Sequence, residues 1–131
     1  MVAPPPTAAL TAFFAPRGDD VAAAWLFGSR ARGEERPDSD LDVAVLLAQD
    51  PPDGLDGLRF DLAEALSAAL PGQSIDLLVL KRAPVDLVHR VLRDGILLSE
   101  ADPTRRVAFV VRKRNEYWDL LPYLREYRRG A

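Results

Sequence analysis

Residues 28–42 read Gly-Ser-Arg-Ala-Arg-Gly-Glu-Glu-Arg-Pro-Asp-Ser-Asp-Leu-Asp. The stretch joins a Gly-Ser turn, Gly28 and Ser29, to an Asp-x-Asp pair, Asp40 and Asp42, across ten intervening residues. Apolar runs flank it on both sides, Val21-Ala-Ala-Ala-Trp-Leu-Phe27 and Leu41-Asp-Val-Ala-Val-Leu-Leu47. Both runs have the length and composition of buried strands. A strand ending in Gly-Ser presents backbone N–H groups and a hydroxyl, which suit phosphate oxygens. A strand opening on Asp-x-Asp sets both carboxylates on one face, because side chains alternate with period two. Hard oxygen ligands so close together suit Mg²⁺, and Mg²⁺ beside a phosphate cradle points to phosphoryl or nucleotidyl transfer.

A third acid fits the same plan. Ser74-Ile-Asp-Leu-Leu-Val-Leu80 reads as another buried strand carrying Asp76. An unpaired carboxylate inside an apolar run is costly to bury. Asp42 and Asp76 are tolerated there if they bind a cation or line an active-site face. The competing reading makes Gly28-Ser29 an ordinary turn and Asp38-Ser39-Asp40 a capping cluster or solvated loop, but it leaves Asp42 and Asp76 unexplained.

The arrangement resembles the nucleotidyltransferase superfamily of DNA polymerase beta and kanamycin nucleotidyltransferase. Leu26-Phe-Gly-Ser-Arg-Ala-Arg-Gly33 is most similar to its small prokaryotic branch, the minimal nucleotidyltransferases. The likeness is strong over about residues 20–80 and weaker through Val91–Leu98 and Glu116–Leu121. It implies a polymerase beta-like fold, a small mixed sheet with helices packed on one side and the active carboxylates on the open face. It also implies transfer by two Mg²⁺ ions, held by Asp40, Asp42 and Asp76 as metal ligands and catalytic residues. Gly28 and Ser29 would then hold the triphosphate of ATP. Arg30, and less readily Arg32, would clamp its outer oxygens, or else both would be solvated residues of a short helix. Ser39 braces the loop before Asp40.

Larger members carry a second domain for the acceptor, and none is expected within these 131 residues. Minimal members resemble the antitoxin half of a type VII-like toxin–antitoxin pair, in which AMP passes from ATP to a tyrosine of a HEPN-domain ribonuclease toxin. A protein adenylyltransferase that forms a hetero-oligomer with such a toxin is the leading expectation. The alternatives are a small-molecule, antibiotic-type nucleotidyltransferase and a non-catalytic antitoxin that neutralises its partner by binding alone.

Composition agrees with one cytoplasmic domain over residues 1–131, a core over about 8–100 followed by a helical segment over about 104–129. Hydrophobic content of 48% and charged content of 28% are ordinary for a globular chain. No apolar run approaches the roughly 20 residues of a membrane span, and the start lacks the features of a signal peptide. Zero cysteines exclude disulfides and thiolate metal sites. Residues 1–80 carry 5 Lys/Arg against 13 Asp/Glu, a net of −8, and residues 81–131 carry 12 against 7, a net of +5. An acidic half suits a metal-binding face. With the whole chain at −3, direct nucleic-acid binding is not favoured.

The element order is read from periodicity. Helices are predicted over Thr7–Ala15, about Leu55–Leu70, Pro84–Gly95 and Thr104 to about Leu121. Strands are predicted over Val21–Phe27, Leu41–Leu47, Ile75–Leu80 and Ile96–Ser99. A few strands with flanking helices, without regular βα alternation, make an α+β (mixed α/β) fold with a long C-terminal helix. In that helix Val107, Val110, Val111, Tyr117, Trp118 and Leu121 are expected to form the apolar side, with Pro122 kinking or interrupting it. Trp25 and Phe27 are expected in the core, and His89 as a packing or surface residue. The aromatic, arginine-rich end beyond Pro122 is expected either at an interface, the favoured reading, or in the core.

Overall fold

Ala22, Ala23 and Ala24 would favour helix by propensity alone, yet they form the middle of the sheet and are 0% exposed. Their small side chains lie in β1 (Val21–Phe27), which is hydrogen-bonded on both edges and covered on both faces. The computed structural model describes residues 6–28, 31, 40–51 and 57–130. Around β1 run α1 (Thr7–Phe14), β2 (Leu41–Leu47), α2 (Gly57–Ala69), β3 (Ile75–Val79), α3 (Val85–Asp94), β4 (Ile96–Glu100) and α4 (Pro103–Gly130), with single 3₁₀ turns over Ala15–Arg17 and Leu80–Arg82.

The sheet order is β3-β2-β1-β4. β1 pairs antiparallel with β2 and with β4, whereas β2 and β3 run parallel and are joined through α2. Period-two alternation splits the core into two layers. Leu26, Leu41, Val43, Val45, Leu77 and Val79 pack with Leu10, Phe13 and Phe14 of α1 and Leu62 and Leu66 of α2. Trp25, Ala44, Leu46 and Leu80 pack with Val88 and Val91 of α3 and Phe109 of α4. The expectation of helices on one side only is therefore corrected. Helices cover both faces, because both alternating sets of strand side chains are apolar over most of their length. The mixed α+β class and the long last helix stand.

The strand bounds agree closely with expectation, except that Leu80, fully buried, belongs to the turn after β3. Pro84 stands just before α3, not at its first helical position. Leu58, Leu62 and Leu66, four residues apart along α2, pack against the sheet, and the predicted start of this helix at Leu55 lies outside the described residues. Gly95 lets α3 turn directly into β4, since a Cβ there would stand 2.5 Å from the Val91 carbonyl oxygen.

The largest departure is α4. Asp102 accepts a hydrogen bond from the Arg105 N–H (3.0 Å) and caps its start, one residue before the predicted Thr104. The Arg105 guanidinium bonds the Leu47 carbonyl (2.8 Å) and Asp50 (3.0 Å), tying the helix to β2. The helix then continues through Pro122. The N–H that Pro122 lacks would have paired with the Trp118 carbonyl. Both residues are exposed there, so water can serve that oxygen. Only Phe109 is fully buried along α4, with Val110, Tyr117, Leu120, Leu121 and Leu124 half-buried. Val107, Val111 and Trp118, expected on the same side, are 48%, 49% and 60% exposed. They lie four and seven residues apart in succession and form a second strip on the outer surface. Tyr123 and Tyr127 are exposed at 69% and 77%, so the segment beyond Pro122 stands outside the core of this chain.

Candidate active site

β1 ends at Phe27 and the chain turns at Gly28 with φ +79°, in the left-handed region. L-residues with a Cβ resist that conformation. Glycine is required there a second time. A Cβ on Gly28 would lie 2.1 Å from Asp42 Oδ2 and 3.1 Å from its Cγ. The Asp42 carboxylate thus rests directly over the bare Cα of Gly28.

Asp42 is the second residue of β2, opposite Phe27 on β1 and Asp76 on β3. Neighbouring strands run about 4.8 Å apart, so the register sets two carboxylates side by side on one face. That face continues through Ala44, Leu46, Leu78 and Leu80 towards α3 and α4. The helices cover its far end and leave the Asp42–Asp76 end open. Asp42 is half-buried, and Asp76 is exposed on the edge strand. Asp40 is exposed one residue before β2, whose first N–H, on Leu41, bonds the Ser74 carbonyl at 2.8 Å.

Ser29 and Arg30, predicted to touch phosphate, lie outside the described residues, as do Arg32 and Ser39. Asp42 and Asp76 are brought together by the sheet register. Asp40, Asp42 and Asp76 do not form a three-carboxylate group close enough for one ion among the described residues. Asp42 leans over Gly28, towards β1, and Asp76 stands on β3, the other neighbour of β2. The donors are nonetheless hard oxygens on adjacent strands, and they suit a divalent cation.

The open end forms a cleft of about 360 Å³ containing Asp42, Asp76, Phe27, Leu78, Leu87, Arg59 and Arg82. A smaller depression of about 170 Å³ lies on the Gly28 side, where Arg90 and Asp94 of α3 join Phe27, Gly28, Leu87 and Val91. Phe27 and Leu87 are shared walls of both. Trp25 is core as expected, 4% exposed, but Phe27 is half-buried and faces the site. The three arginines escaped the sequence reading. Arg82 follows Asp76 by six residues, which is a faint local signal. Arg59 and Arg90 sit on helices whose placement only the tertiary structure decides.

His89 plays a structural part, as expected. Its ring stacks on Tyr117, with centroids 3.6 Å apart and planes 1° from parallel, joining α3 to α4. Burial lowers its pKa below the ordinary 6.5, and the Arg93 and Arg114 guanidinium groups act in the same direction against an opposing pull from Asp94. Lys113 lines the same small hollow beside the ring. The folded pKa lies below the unfolded one, so the unfolded chain binds this proton more tightly. The stability from neutral His89 is full above 6.5 and is lost as the pH falls from there through the folded value. Melting temperature should therefore drop on acidification from about pH 7.5 to about 5.5, before most carboxylates titrate. In His89→Phe, which keeps a stacking ring, that slope should flatten. An unchanged slope would remove His89 as its source.

Among the described residues no helix is long and apolar enough to cross a membrane. The chain is 39% identical over 72 residues to the protein adenylyltransferase MntA of Shewanella oneidensis strain MR-1, a match spanning 54% of this chain and 48% of that protein. The chain thus matches about half the length of that relative. Its fold is similar to a crystal structure of a toxin–antitoxin with AMP-PNP, with TM-score 0.75 and 26% identity over 95% of this chain and 96% of that one. It is also similar in fold to a structure of tri-AMPylated Shewanella oneidensis HEPN toxin in complex with MNT antitoxin, with TM-score 0.69 and 24% identity over 95% and 93%. Residues 10–104, which include the whole sheet and every carboxylate of the site, match the family described as Polymerase beta, Nucleotidyltransferase, and the chain belongs to that family.

Proposed function

We propose that this chain is a protein adenylyltransferase acting as an antitoxin, transferring AMP from ATP to a tyrosine hydroxyl of a partner HEPN ribonuclease toxin in the cytoplasm. The observation that carries the reading is the Asp42–Asp76 register pair, with the Asp42 carboxylate against the Cβ-free turn at Gly28. Similarity to an adenylyltransferase and to a toxin–antitoxin with AMP-PNP supports the donor and the kind of partner. The outer strip of α4, Val107, Val111 and Trp118, supports a protein acceptor, since exposed apolar and aromatic residues in line suit a docked partner.

Asp42 and Asp76, with Asp40 at the mouth of β2, would hold Mg²⁺, two ions by the family's pattern. Bound there, Mg²⁺ would neutralise phosphate charge and favour ionisation of the attacking hydroxyl. Gly28 would admit phosphate oxygens to the backbone at the end of β1, with Ser29 and Arg30 continuing the cradle. Asp76, on the edge strand, would take the proton from the tyrosine Oη as that oxygen bonds to the α-phosphorus. The bond from that phosphorus to the β-phosphate oxygen breaks, and pyrophosphate leaves with the electron pair. Phe27 and Leu87 would screen the cleft from water.

The test is mass spectrometry of the neighbour-encoded HEPN protein after incubation with the chain, ATP and Mg²⁺. The expected result is an increment of AMP on a partner tyrosine, absent with Asp40→Asn/Asp42→Asn. An unmodified partner alongside a modified small hydroxylated molecule would support the antibiotic-type alternative instead. Equal inhibition by the doubly substituted chain would support masking alone.

A further inference from the structure

The cleft has two flanks of different character. The β1 flank carries Gly28, with Arg90 in the adjoining depression. The β3 flank carries Asp76, Arg59 and Arg82. β3 is the edge of the sheet. Arg82 closes the 3₁₀ turn that follows β3. Arg59 reaches in from α2, which packs on β3. Both arginines thus line the cleft on the β3 side of Asp42, and Gly28 lies on the other side.

An in-line displacement separates the attacking and leaving oxygens on opposite sides of the phosphorus. With the donor phosphates at Gly28, the acceptor enters from the β3 flank. Two guanidinium groups there are more than a neutral tyrosine side chain needs. Arginine is suited to carboxylate and phosphate oxygens, which it can bind with two parallel N–H donors. The cleft lining otherwise carries the carboxylates of Asp42 and Asp76, which would repel an anionic acceptor unless cations received it locally.

We propose that Arg59 and Arg82 form an anion seat for the acceptor, holding a negatively charged group beside the hydroxyl that is to be modified. The inference rests on the adenylyltransferase reading for the direction of entry. The anion has two chemical sources. One is the carboxylate of an Asp or Glu flanking the acceptor tyrosine. The other is the phosphodiester of an AMP already attached to it, in which case the hydroxyl to be modified is one on the ribose of that AMP. Arg59 and Arg82 are positioning residues under this proposal and do not touch the reacting atoms.

Fluorescence anisotropy on the full chain tests it with three labelled tyrosine peptides. One carries neutral Asn and Gln flanks, one carries Asp and Glu flanks, and one carries neutral flanks with an O-adenylylated tyrosine. The wild-type chain should bind at least one anionic peptide about tenfold or more tighter than the neutral one, the scale of a charge-assisted contact. Which anionic peptide gains identifies the source. Arg59→Gln/Arg82→Gln should erase the preference while affinity for ATP with Mg²⁺ stays within about twofold. Arg59→Lys/Arg82→Lys should restore part of it, and Arg90→Gln, on the other flank, should leave it in place. Equal binding of all three peptides by the wild type would overturn the proposal. So would a loss of ATP affinity in the Gln pair that parallels the loss of peptide preference. A wild-type chain that binds no ATP overturns the donor assignment instead, and the peptide comparison still decides the seat.

Discussion

Asp42→Asn is expected to cut AMP transfer by at least about 10³-fold, the scale of several kcal/mol of lost transition-state stabilisation. The substitution keeps the shape of the side chain and removes its charge. Asp42 is half-buried, lies over Gly28 and stands in register with Asp76, so it joins the β1 flank of the cleft to the β3 flank. The fold should survive. Two carboxylates on adjacent strands repel each other without a cation between them, so the melting temperature of the metal-free variant should match or exceed that of the parent. Transfer of label from α-labelled ATP, with a melting curve beside it, checks both halves. Full activity in the Asp42→Asn protein would remove this carboxylate from the site.

The second large effect is at Gly28. Gly28→Val adds a branched side chain where a Cβ alone would meet Asp42 Oδ2 at 2.1 Å. It also requires a β-branched residue to hold φ near +79°, a conformation that costs an L-residue about 1–2 kcal/mol. Either the turn moves or the Asp42 carboxylate swings away, so transfer should be lost and stability reduced together. Gly28→Ala separates the causes. Its backbone penalty remains whatever occupies position 42, but its clash depends on the Asp42 carboxyl group. Gly28→Ala/Asp42→Ala should therefore recover part of the melting temperature lost in Gly28→Ala, without recovering activity. That non-additivity is the mark of a direct contact. Strict additivity of the two substitutions would show that Asp42 does not press on Gly28.

Much of the site was legible because the chemistry conflicts with its local surroundings. Asp42 and Asp76 interrupt apolar runs, and a carboxylate in such a run needs a reason. Period two then predicts that each carboxylate shares a face with every second residue of its strand. Gly28 was legible for a related reason, since a phosphate cradle expected at the end of a buried strand would leave no room for a side chain. Arg59, Arg82 and Arg90 had no comparable signal. An arginine on a helix looks the same whether it faces solvent or a cleft.

The last helix shows the limit most plainly. Valines and aromatics at helical spacing look like one buried stripe, but α4 carries two strips. One holds Phe109, Val110, Tyr117 and Leu121 against the body of the chain, and the other holds Val107, Val111 and Trp118 outward. Periodicity can detect an apolar strip, but it cannot tell a face that meets this chain from one left for another. By itself the sequence determined the strands, the family likeness and the carboxylates, because these follow from local alternation and from the cost of burying charge. Only the tertiary structure decided that helices cover both faces of the sheet, that Asp42 rests on Gly28, and that Arg59 and Arg82 reach the cleft. Those facts depend on strand order and helix placement, which bring together residues far apart in the chain.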